Sequence, residues 1–320
     1  GHPAGPAFEC VPDKSLLESA LAAGWEIPYS CRRGSCETCR AHVCAGEVSP
    51  AAETDGTALL CRTRALSDVT IEVRRAEMRQ RSAPKRIKAK IFRTRMLAPD
   101  VACVELRFPA GVRARFRAGQ YLNICLEGLA TRSYSMANTP SQSDGVQLHV
   151  RVLPGGRFSE QILPTLKPGD EIPVELPYGD FYLRQDLPQQ VVLLAGGTGF
   201  APMQAMLEEA LPRHPETRFH LYWGARVEAG LYARERIERW LAAYPALRFI
   251  GVLSDSDPQH VHGWRTGLVH EAVASDFESL ADSHVYACGA PAMVAAAQVE
   301  FTGKLGLPSE CFFSDAFVSS

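Results

Sequence analysis

The sequence predicts a multidomain protein of three consecutive parts: a small α+β unit, an antiparallel β-barrel, and an α/β unit with a parallel sheet. Three observations predict this order. Clustered cysteines lie in an N-terminal stretch of mixed pattern, short alternating strands follow, and strands then alternate with helices. A length of 320 residues suits two or three domains. We place the first unit at residues 1–76, a basic linker at 77–86, the barrel at 87–187 and the α/β unit at 188–320.

The composition is that of an ordinary globular protein, with 46% hydrophobic residues, 22% charged residues and a net charge of −2. This charge gives no overall attraction to nucleic acid, and no apolar run is long enough to span a bilayer, so we expect neither as a partner. We also expect a monomer. Six cysteines outside the N-terminal cluster show no framework spacing, which favours a reducing, cytoplasmic location. They are Cys10, Cys44, Cys103, Cys125, Cys288 and Cys311.

The N-terminal cysteines have a specific spacing. Cys31, Cys36 and Cys39 form a C-x4-C-x2-C pattern, and Cys61 follows later. A short loop can present three sulfurs from one side, and a fourth from another segment completes the ligand set of a plant-type [2Fe–2S] cluster. A zinc site is the alternative, but zinc sites usually contain paired C-x2-C units and only one such pair is present. The pattern therefore predicts an iron–sulfur cluster.

The elements around these cysteines are short. Residues 15–23 have apolar residues at helical spacing, with Ser15 as N-cap and Gly24 as the stop. Residues 38–43, 58–63 and 69–73 read as strands. The segment from Arg74 to Arg95 then contains ten basic residues and one acid, Glu77. This segment is either a solvated hinge or a docking patch for an acidic partner or for the first unit.

The second part contains candidate ligand-binding groups among its alternating strands, which include residues 101–108, 121–126 and 147–152. Arg132, Tyr134 and Ser135 supply a guanidinium for phosphate, an aromatic face for a planar ring, and a hydroxyl. One strand later, Gly155 and Gly156 precede Ser159 at the start of a predicted helix over residues 158–166. Glycines at a helix N-terminus favour a second phosphate contact.

The third part begins with the apolar strand 191–195, which the glycine loop (residues 196–202) connects to a helix. Glycines there let the backbone approach a pyrophosphate, although the loop lacks the G-x-G-x-x-G fingerprint. Strands are predicted at 219–223, 247–253 and 284–287, with helices at 235–244 and 290–305. After the second strand, Glu228 favours NADH through the ribose hydroxyl, whereas Arg226 would suit NADPH. We expect NADH, with NADPH as the alternative.

These motifs resemble those of the ferredoxin–NADP⁺ reductase family: Arg-x-Tyr-Ser at residues 132–135, the glycines at 155–159, the glycine loop, and the cysteine–glycine segment (residues 288–293). With the cysteine-rich unit in front, the chain resembles the reductase components of bacterial aromatic-ring-hydroxylating dioxygenases, most closely the terephthalate type at residues 27–32 and 132–138. The resemblance implies a β-grasp ferredoxin domain, a flavin-binding β-barrel and a Rossmann-like nicotinamide domain.

The resemblance also implies cofactors and residue roles. FAD is expected, with FMN as the alternative. Ser135 would lie near the reactive flavin nitrogen, Tyr134 would pack on the flavin ring, and Cys288 would position the nicotinamide. The expected cofactor-binding residues of the barrel are Arg132, Ser133, Tyr134, Ser135, His149, Val150, Gly155, Gly156, Arg157, Phe158 and Ser159. Those of the nicotinamide domain are Gly197, Thr198, Gly199, Pro202, Arg226, Glu228, Cys288, Gly289, Pro291, Met293 and Phe317.

Phe317 is preferred as the aromatic that covers the flavin, and ordinary core packing is expected for Phe312 and Phe313. The function implied is transfer of hydride from NAD(P)H to FAD, then of single electrons through the cluster to a terminal oxygenase. Alternatives are another acceptor, such as a cytochrome P450 or a diiron monooxygenase, or a non-catalytic electron-transfer module. An oxygenase in its own right is disfavoured, because no Rieske Cys/His pairs or His/carboxylate iron triad has recognisable spacing.

Overall fold

The computed structural model describes residues 7–29, 32–34, 37–73, 77–78, 84–256 and 263–317. The chain divides into two compact units, Gly1–Ser82 and Ala83–Ser320. In the stretch proposed as a linker, residues 77–78 pair with 25–26, and a strand begins at Lys85. Across the described ranges, every helix is too short or too polar to cross a membrane.

The first unit is built on one capped helix and short strands. Ser15 accepts a hydrogen bond from the Glu18 amide at 3.2 Å, and the Glu18 carboxylate accepts from the Ser15 amide at 3.1 Å. This capping box starts the helix where predicted, and Gly24 at φ +88° follows its end. The elements are α1 (Leu16–Ala22), β1 (Trp25–Glu26), β2 (Arg40–Ala45), β3 (Val48–Ser49), β4 (Thr57–Leu59), β5 (Arg64–Ala65), β6 (Thr70–Glu72) and β7 (Glu77–Met78).

The main sheet of this unit has the order β4-β2-β6, and β1–β7 and β3–β5 form small antiparallel pairs. Leu16, Leu17 and Ala20 form the apolar face of α1 and pack in one core with Leu60. Cys39 belongs to the same core, so the end of the cysteine motif is attached to the helix and sheet beneath it.

The second part is an antiparallel sheet in the order β11-β10-β13-β8-β9-β12. A bridge between Met136 and Leu148 joins its first and last strands, so the sheet closes into the predicted barrel. Leu122, Leu148 and Val174 are among the side chains that fill its interior. The strands are β8 (Lys85–Ala98), β9 (Val101–Arg107), β10 (Tyr121–Ile124), β11 (Arg132–Ser135), β12 (Gly145–Arg151) and β13 (Glu171–Tyr178).

The helix predicted for residues 158–166 is not a regular α-helix. The segment forms a π-helical turn, Arg157–Ile162, and then a 3₁₀ turn, Leu163–Thr165. Pro164 lacks an amide hydrogen and clashes with a preceding carbonyl, so an α-helix cannot continue through it.

The third part is a parallel sheet whose described strands have the order β17-β16-β15-β14-β18-β19. Helices cover both faces of such a sheet, which explains why the central strand β14 is a continuous apolar run. Its elements are β14 (Gln190–Gly196), α2 (Phe200–Ala210), β15 (Arg218–Ala225), α3 (Arg234–Ala243), β16 (Leu247–Leu253), β17 (Arg265–Thr266), α4 (Val269–Asp276), β18 (Ser283–Gly289), α5 (Pro291–Lys304) and β19 (Phe312–Ala316). The sequence did not predict β17, α4 or β19, which are short.

Candidate functional site

The glycine loop and the cysteine–glycine segment meet at the carboxyl ends of β14 and β18. A Cβ atom on Gly199 would lie 2.1 Å from the Cys288 carbonyl oxygen, and one on Gly289 would lie 3.0 Å from the Gly196 Cα. A Cβ atom on Gly196 would lie 2.7 Å from the Met293 sulfur. The structure therefore brings together two segments predicted separately, by a backbone approach that only glycine permits. Ligands of open α/β sheets bind at this edge.

A barrel side chain also reaches the glycine loop. Gly197 has φ +54°, and a Cβ atom there would lie 2.8 Å from a guanidinium nitrogen of Arg151. Arg151, at the end of β12, pairs with Asp100 at 3.2 Å. The guanidinium brings positive charge to a loop expected to hold a pyrophosphate. Sequence reasoning missed Arg151, because nothing in the local pattern of β12 indicates contact with a segment of the next domain.

The Arg-x-Tyr-Ser motif forms β11, and its aromatic ring lies close to the π-helical turn. The rings of Tyr134 and Phe158 are 5.7 Å apart, so the two predicted flavin segments are adjacent. Burial raises the pKa of Tyr134 to about 12, which keeps the phenol neutral. Arg132 donates to the Ala130 carbonyl at 3.3 Å, and Ser133 donates to the Asn123 side-chain oxygen at 2.8 Å.

Ser135 has a buried hydroxyl whose oxygen makes no hydrogen bond with any described residue. Buried polar atoms are nearly always paired, so an unpaired hydroxyl at the end of β11 fits a site that a ligand completes. Two residues later, the Ala137 carbonyl accepts a hydrogen bond from Gln204 of α2 at 2.9 Å. Because α2 begins directly after Gly199, this bond joins the segment just after β11 to the helix that follows the glycine loop.

The glycines before the π-helical turn are already bonded within the chain. The Gly155 amide donates to the Glu160 carboxylate at 2.6 Å, and Ser159 accepts from the Leu153 amide at 3.2 Å. Ser159 is buried, whereas Arg157 is exposed. Sequence reasoning did not single out Glu160, whose carboxylate accepts the hydrogen bond of the Gly155 amide. That amide was expected to face a phosphate.

His149 and Val150 lie on opposite faces of β12. Val150 is in the barrel core, whereas His149 stacks on Phe200 at 6.4 Å and bonds the Tyr232 hydroxyl at 3.1 Å. Burial lowers the pKa of His149 to about 3, so its ring is neutral. The two side chains are thus engaged within the protein, and both residues pair with β9 in the antiparallel ladder.

Cys288 is fully buried and pairs in register with Ala195 and Asp315 on the neighbouring strands. Burial raises the pKa of its thiol well above the usual range, and the Asp315 charge adds to this effect. The thiol is therefore protonated and unsuited to nucleophilic attack. Asp315, a buried carboxylate beside this cysteine, was not predicted, because the β19 sequence alone does not indicate its neighbour.

The remaining predicted residues surround these segments. Pro202 is buried in α2, and Thr198 is buried in the 3₁₀ turn before it. Phe317 is half-buried, and its amide donates to the Gly289 carbonyl at 2.8 Å. Phe312 and Phe313 are buried, as core packing predicts. Pro291 begins α5.

At the end of β15, each candidate for cofactor choice has an ion-pair partner. Arg226 pairs with Asp255 at 2.7 Å, and Glu228 pairs with Arg234 at 2.8 Å. The hydrogen bond between the two side chains, together with their charge attraction, raises the pKa of Arg226 and lowers that of Asp255.

Two of the predicted cluster ligands, Cys31 and Cys36, lie outside the described residues. Of the other two, Cys39 is buried and Cys61 is half-buried, and the amide of Leu60 donates to the Cys39 carbonyl at 3.1 Å. This bond brings the segment of the distant cysteine next to the loop, as ligation requires. The thiol donor set fits the cluster. No group of three metal ligands occurs among the described residues alone.

Backbone geometry beside these cysteines is that of a tight loop. Gly34 has φ +85°, and Arg32 and Glu37 have φ of +55° and +57°, values that residues with a Cβ rarely adopt. Arg32 also pairs with Glu18 at 3.4 Å. Strained backbone of this kind persists where the surrounding structure requires it.

Family comparisons agree with this domain order. Residues 2–66 match the 2Fe-2S iron-sulfur cluster binding domain, residues 88–182 the oxidoreductase FAD-binding domain, and residues 193–299 the oxidoreductase NAD-binding domain. Terephthalate 1,2-dioxygenase, reductase component 1, from a Comamonas species is 39% identical over 329 residues, covering 100% of this chain and 96% of that protein.

Two further relatives are named as reductases of proteins other than a dioxygenase. The CDP-6-deoxy-L-threo-D-glycero-4-hexulose-3-dehydrase reductase of Yersinia pestis is 35% identical and covers 100% of this chain and 98% of its own. The crystal structure of the Amycolatopsis cytochrome P450 reductase GcoB superposes with a TM-score of 0.81 at 32% identity, covering 98% of this chain and 97% of that one.

The fold and these matches define an NAD(P)H-dependent flavin and iron–sulfur oxidoreductase. The chain belongs to the ferredoxin–NAD(P)⁺ reductase family, in the group with an N-terminal [2Fe–2S] domain that includes the terephthalate dioxygenase reductases. The predicted family and fold class are confirmed, as are the cofactors FAD, [2Fe–2S] and NAD(P)H.

Proposed function

We propose that this protein takes hydride from NADH and delivers single electrons to a terminal aromatic-ring oxygenase. One observation carries the proposal: two contacts meet at the glycine loop. The loop touches the cysteine–glycine segment, and the helix that follows the loop is bonded through Gln204 to Ala137, just after β11. A nucleotide on the loop and a flavin on the strand would therefore lie at one junction. The Comamonas relatives support an aromatic-ring dioxygenase as acceptor.

Bound flavin supplies the redox chemistry, because it accepts a hydride and gives up electrons singly. We assign the chain's own residues to binding and orientation. Arg132 and Ser159 hold phosphate, Tyr134 packs on the flavin ring, and the neutral Cys288 packs where the nicotinamide enters. The Ser135 hydroxyl, which has no partner among the described residues, bonds the flavin. Cys31, Cys36, Cys39 and Cys61 ligate the cluster, through which electrons leave.

Replacing Ser135 with alanine separates flavin binding from stability. Since its hydroxyl has no partner among the described residues, Ser135→Ala should leave the free energy of unfolding of the apoprotein unchanged or raise it by about 1 kcal/mol. The dissociation constant for FAD should rise roughly tenfold through loss of one hydrogen bond. Denaturant unfolding of the apoprotein and flavin titration measure the two effects.

The control is Ser283→Ala. This buried hydroxyl is bonded by Gln190 at 2.9 Å, so its loss should destabilise the protein by about 1 kcal/mol without changing flavin affinity. If Ser135→Ala destabilised the apoprotein as much as Ser283→Ala and left flavin affinity unchanged, the assignment of Ser135 would be wrong.

We propose NADH as the preferred donor because Arg226 already forms an ion pair with Asp255. To contact a 2′-phosphate, this guanidinium would have to leave a carboxylate 2.7 Å away. The Glu228 carboxylate, although paired with Arg234, can still accept a hydrogen bond from a ribose hydroxyl, since it has several lone pairs.

Asp255→Asn is therefore expected to release Arg226 and shift the preference towards NADPH. Because exposed ion contacts contribute up to about 1 kcal/mol, kcat/KM for NADPH relative to NADH should rise by up to about fivefold. Steady-state kinetics with both nucleotides measure the ratio. Asp144→Asn, which breaks a similar exposed pair with Arg107, is the control and should not change it. An unchanged ratio in Asp255→Asn would contradict the role of this pair.

The proposed function is tested on the purified holoenzyme with its visible spectrum. Flavin bands and broad cluster absorption should both be bleached by anaerobic NADH, and the reduced protein should then reduce the iron centre of an aromatic-ring dioxygenase. A reduced cluster that passes electrons to a cytochrome P450 but not to a dioxygenase would favour the second candidate acceptor, which the Amycolatopsis relative supports. A spectrum unchanged by NADH and by NADPH would contradict the proposal.

We also propose a reducing, cytoplasmic location. The six cysteines outside the cluster motif, including the exposed Cys10 and Cys44, are free thiols, which supports it. The monomeric state stays a prediction.

A further inference from the structure

Trp223 lies near the carboxyl end of β15, completely buried, and its indole nitrogen donates to the carbonyl oxygen of Gly197 at 2.9 Å. The ring also stacks on Phe200, the first residue of α2, with centroids 4.0 Å apart and planes within 11°. One side chain therefore contacts both the carbonyl of the glycine loop and the start of the helix that follows it.

The bond to Gly197 has a consequence for the loop. Gly197 adopts a left-handed conformation with φ +54°, and its carbonyl oxygen accepts hydrogen bonds from both the Trp223 indole N–H and the Phe200 amide of the 3₁₀ turn. An anion binds to the amides of such a loop, and a carbonyl oxygen facing the same anion would repel it. Together with the Phe200 amide, Trp223 holds this carbonyl on the protein side and so favours the conformation in which the loop presents its amides and not its carbonyl.

A second contact links this tryptophan to the barrel. Tyr232 packs edge-on against Trp223 with centroids 4.9 Å apart, and its hydroxyl is 3.1 Å from the Nδ1 atom of His149 in β12. The contact of Tyr232 with His149 joins the nicotinamide domain to the barrel, and Trp223 packs against Tyr232 within the nicotinamide domain. The chain of contacts from His149 through Tyr232 and Trp223 to Gly197 therefore ties the loop to the domain that holds the flavin.

We propose that Trp223 is a positioning residue for the nicotinamide nucleotide, and that the Tyr232–His149 contact holds the same loop in register with the barrel. The inference rests on the proposed role of the glycine loop in nucleotide binding, and it adds Trp223 and Tyr232, which lie outside every motif of the sequence. Trp223 acts through the loop and touches no substrate.

The test uses the holoenzyme and NAD⁺ as a non-reducing ligand. Trp223→Phe keeps an aromatic ring but removes the N–H donor, so the dissociation constant for NAD⁺ measured by calorimetry should rise about tenfold, which corresponds to about 1.4 kcal/mol. KM for NADH should rise similarly with ferricyanide as acceptor, while kcat changes less than twofold. The flavin spectrum should not change.

The matched control is Trp240→Phe. Trp240 packs in the same cluster, 6.3 Å from Phe200, and its indole nitrogen makes no hydrogen bond with a described residue. Its replacement should leave NAD⁺ affinity unchanged. Equal NAD⁺ affinity in Trp223→Phe and wild type would overturn the inference, and so would equal weakening by both substitutions.

Tyr232→Phe tests the contact with the barrel. It also keeps the inference testable if Trp223→Phe does not fold. Loss of the hydroxyl should slow flavin reduction by NADH in stopped-flow measurements at least threefold, with the NAD⁺ dissociation constant within twofold of wild type. An unchanged rate would overturn that part of the inference. If the wild-type protein failed to bind NAD⁺, the proposed function itself would fail, a result distinct from all of these.

Discussion

Replacing Cys61 with serine is expected to abolish the broad cluster absorption and to reduce electron transfer to a protein acceptor to background. Cys61 lies next to Leu60, whose amide bonds the Cys39 carbonyl, so Cys61 belongs to a second segment that lies beside the cysteine loop. A serine oxygen is a poor substitute for the soft thiolate that iron–sulfur clusters require. The flavin route should survive, so NADH-dependent reduction of ferricyanide should remain within about twofold of wild type.

Cys44→Ser is the control for this experiment. Cys44 is an exposed thiol in β2 of the same unit and is not part of the C-x4-C-x2-C pattern. Its replacement should leave the visible spectrum, iron content and both activities unchanged. If Cys61→Ser kept two irons per chain and wild-type reduction of the protein acceptor, the ligand assignment would be wrong.

Gly199→Ala is expected to abolish NADH-dependent flavin reduction. The added Cβ would lie 2.1 Å from the Cys288 carbonyl oxygen, and neither atom can rotate away, because the Cβ is fixed to its Cα and the oxygen is part of the backbone. The glycine loop and the cysteine–glycine segment must therefore separate. We expect a loss of about 1–3 kcal/mol in the free energy of unfolding, as for other overpacked sites, together with loss of measurable NAD⁺ binding.

Gly303→Ala is the matched control, since a Cβ there meets nothing within 4 Å. Gly303 lies in α5, where alanine is the better helix former, so stability should rise by about 1 kcal/mol with NADH oxidation unchanged. Calorimetric unfolding and NADH oxidation with ferricyanide compare the two variants. Wild-type NAD⁺ affinity in Gly199→Ala would show that close backbone packing is not needed for the nucleotide site.

Local patterns predicted most of the fold because their causes are local. Ser15 with Glu18 caps a helix within one turn, and the apolar run of β14 reflects burial on both faces. The same holds for the glycine loop, whose position between a strand and a helix is visible in sequence. Prediction was less successful for residues 157–165, where Pro164 replaces a regular helix with two irregular turns, and for the short β17, α4 and β19.

The opposite holds for contacts made between segments distant in sequence. Arg151 at Gly197, Trp223 at the Gly197 carbonyl and Asp315 beside Cys288 all come from separate strands. Each residue would be unremarkable in its own segment, and no spacing rule connects it to its partner.

From the sequence alone, the cysteine spacing predicted the cluster type, and the order of motifs, through its resemblance to a known reductase family, predicted three domains, the cofactors and the class of reaction. These are properties of short segments, in which a few neighbouring residues must carry particular chemistry. The tertiary structure decided that Gly199 must remain a glycine, that the Ser135 hydroxyl has no hydrogen-bond partner among the described residues, and that Trp223 donates to the Gly197 carbonyl. These contacts exist only because strands β14, β15 and β18 lie side by side in the folded sheet.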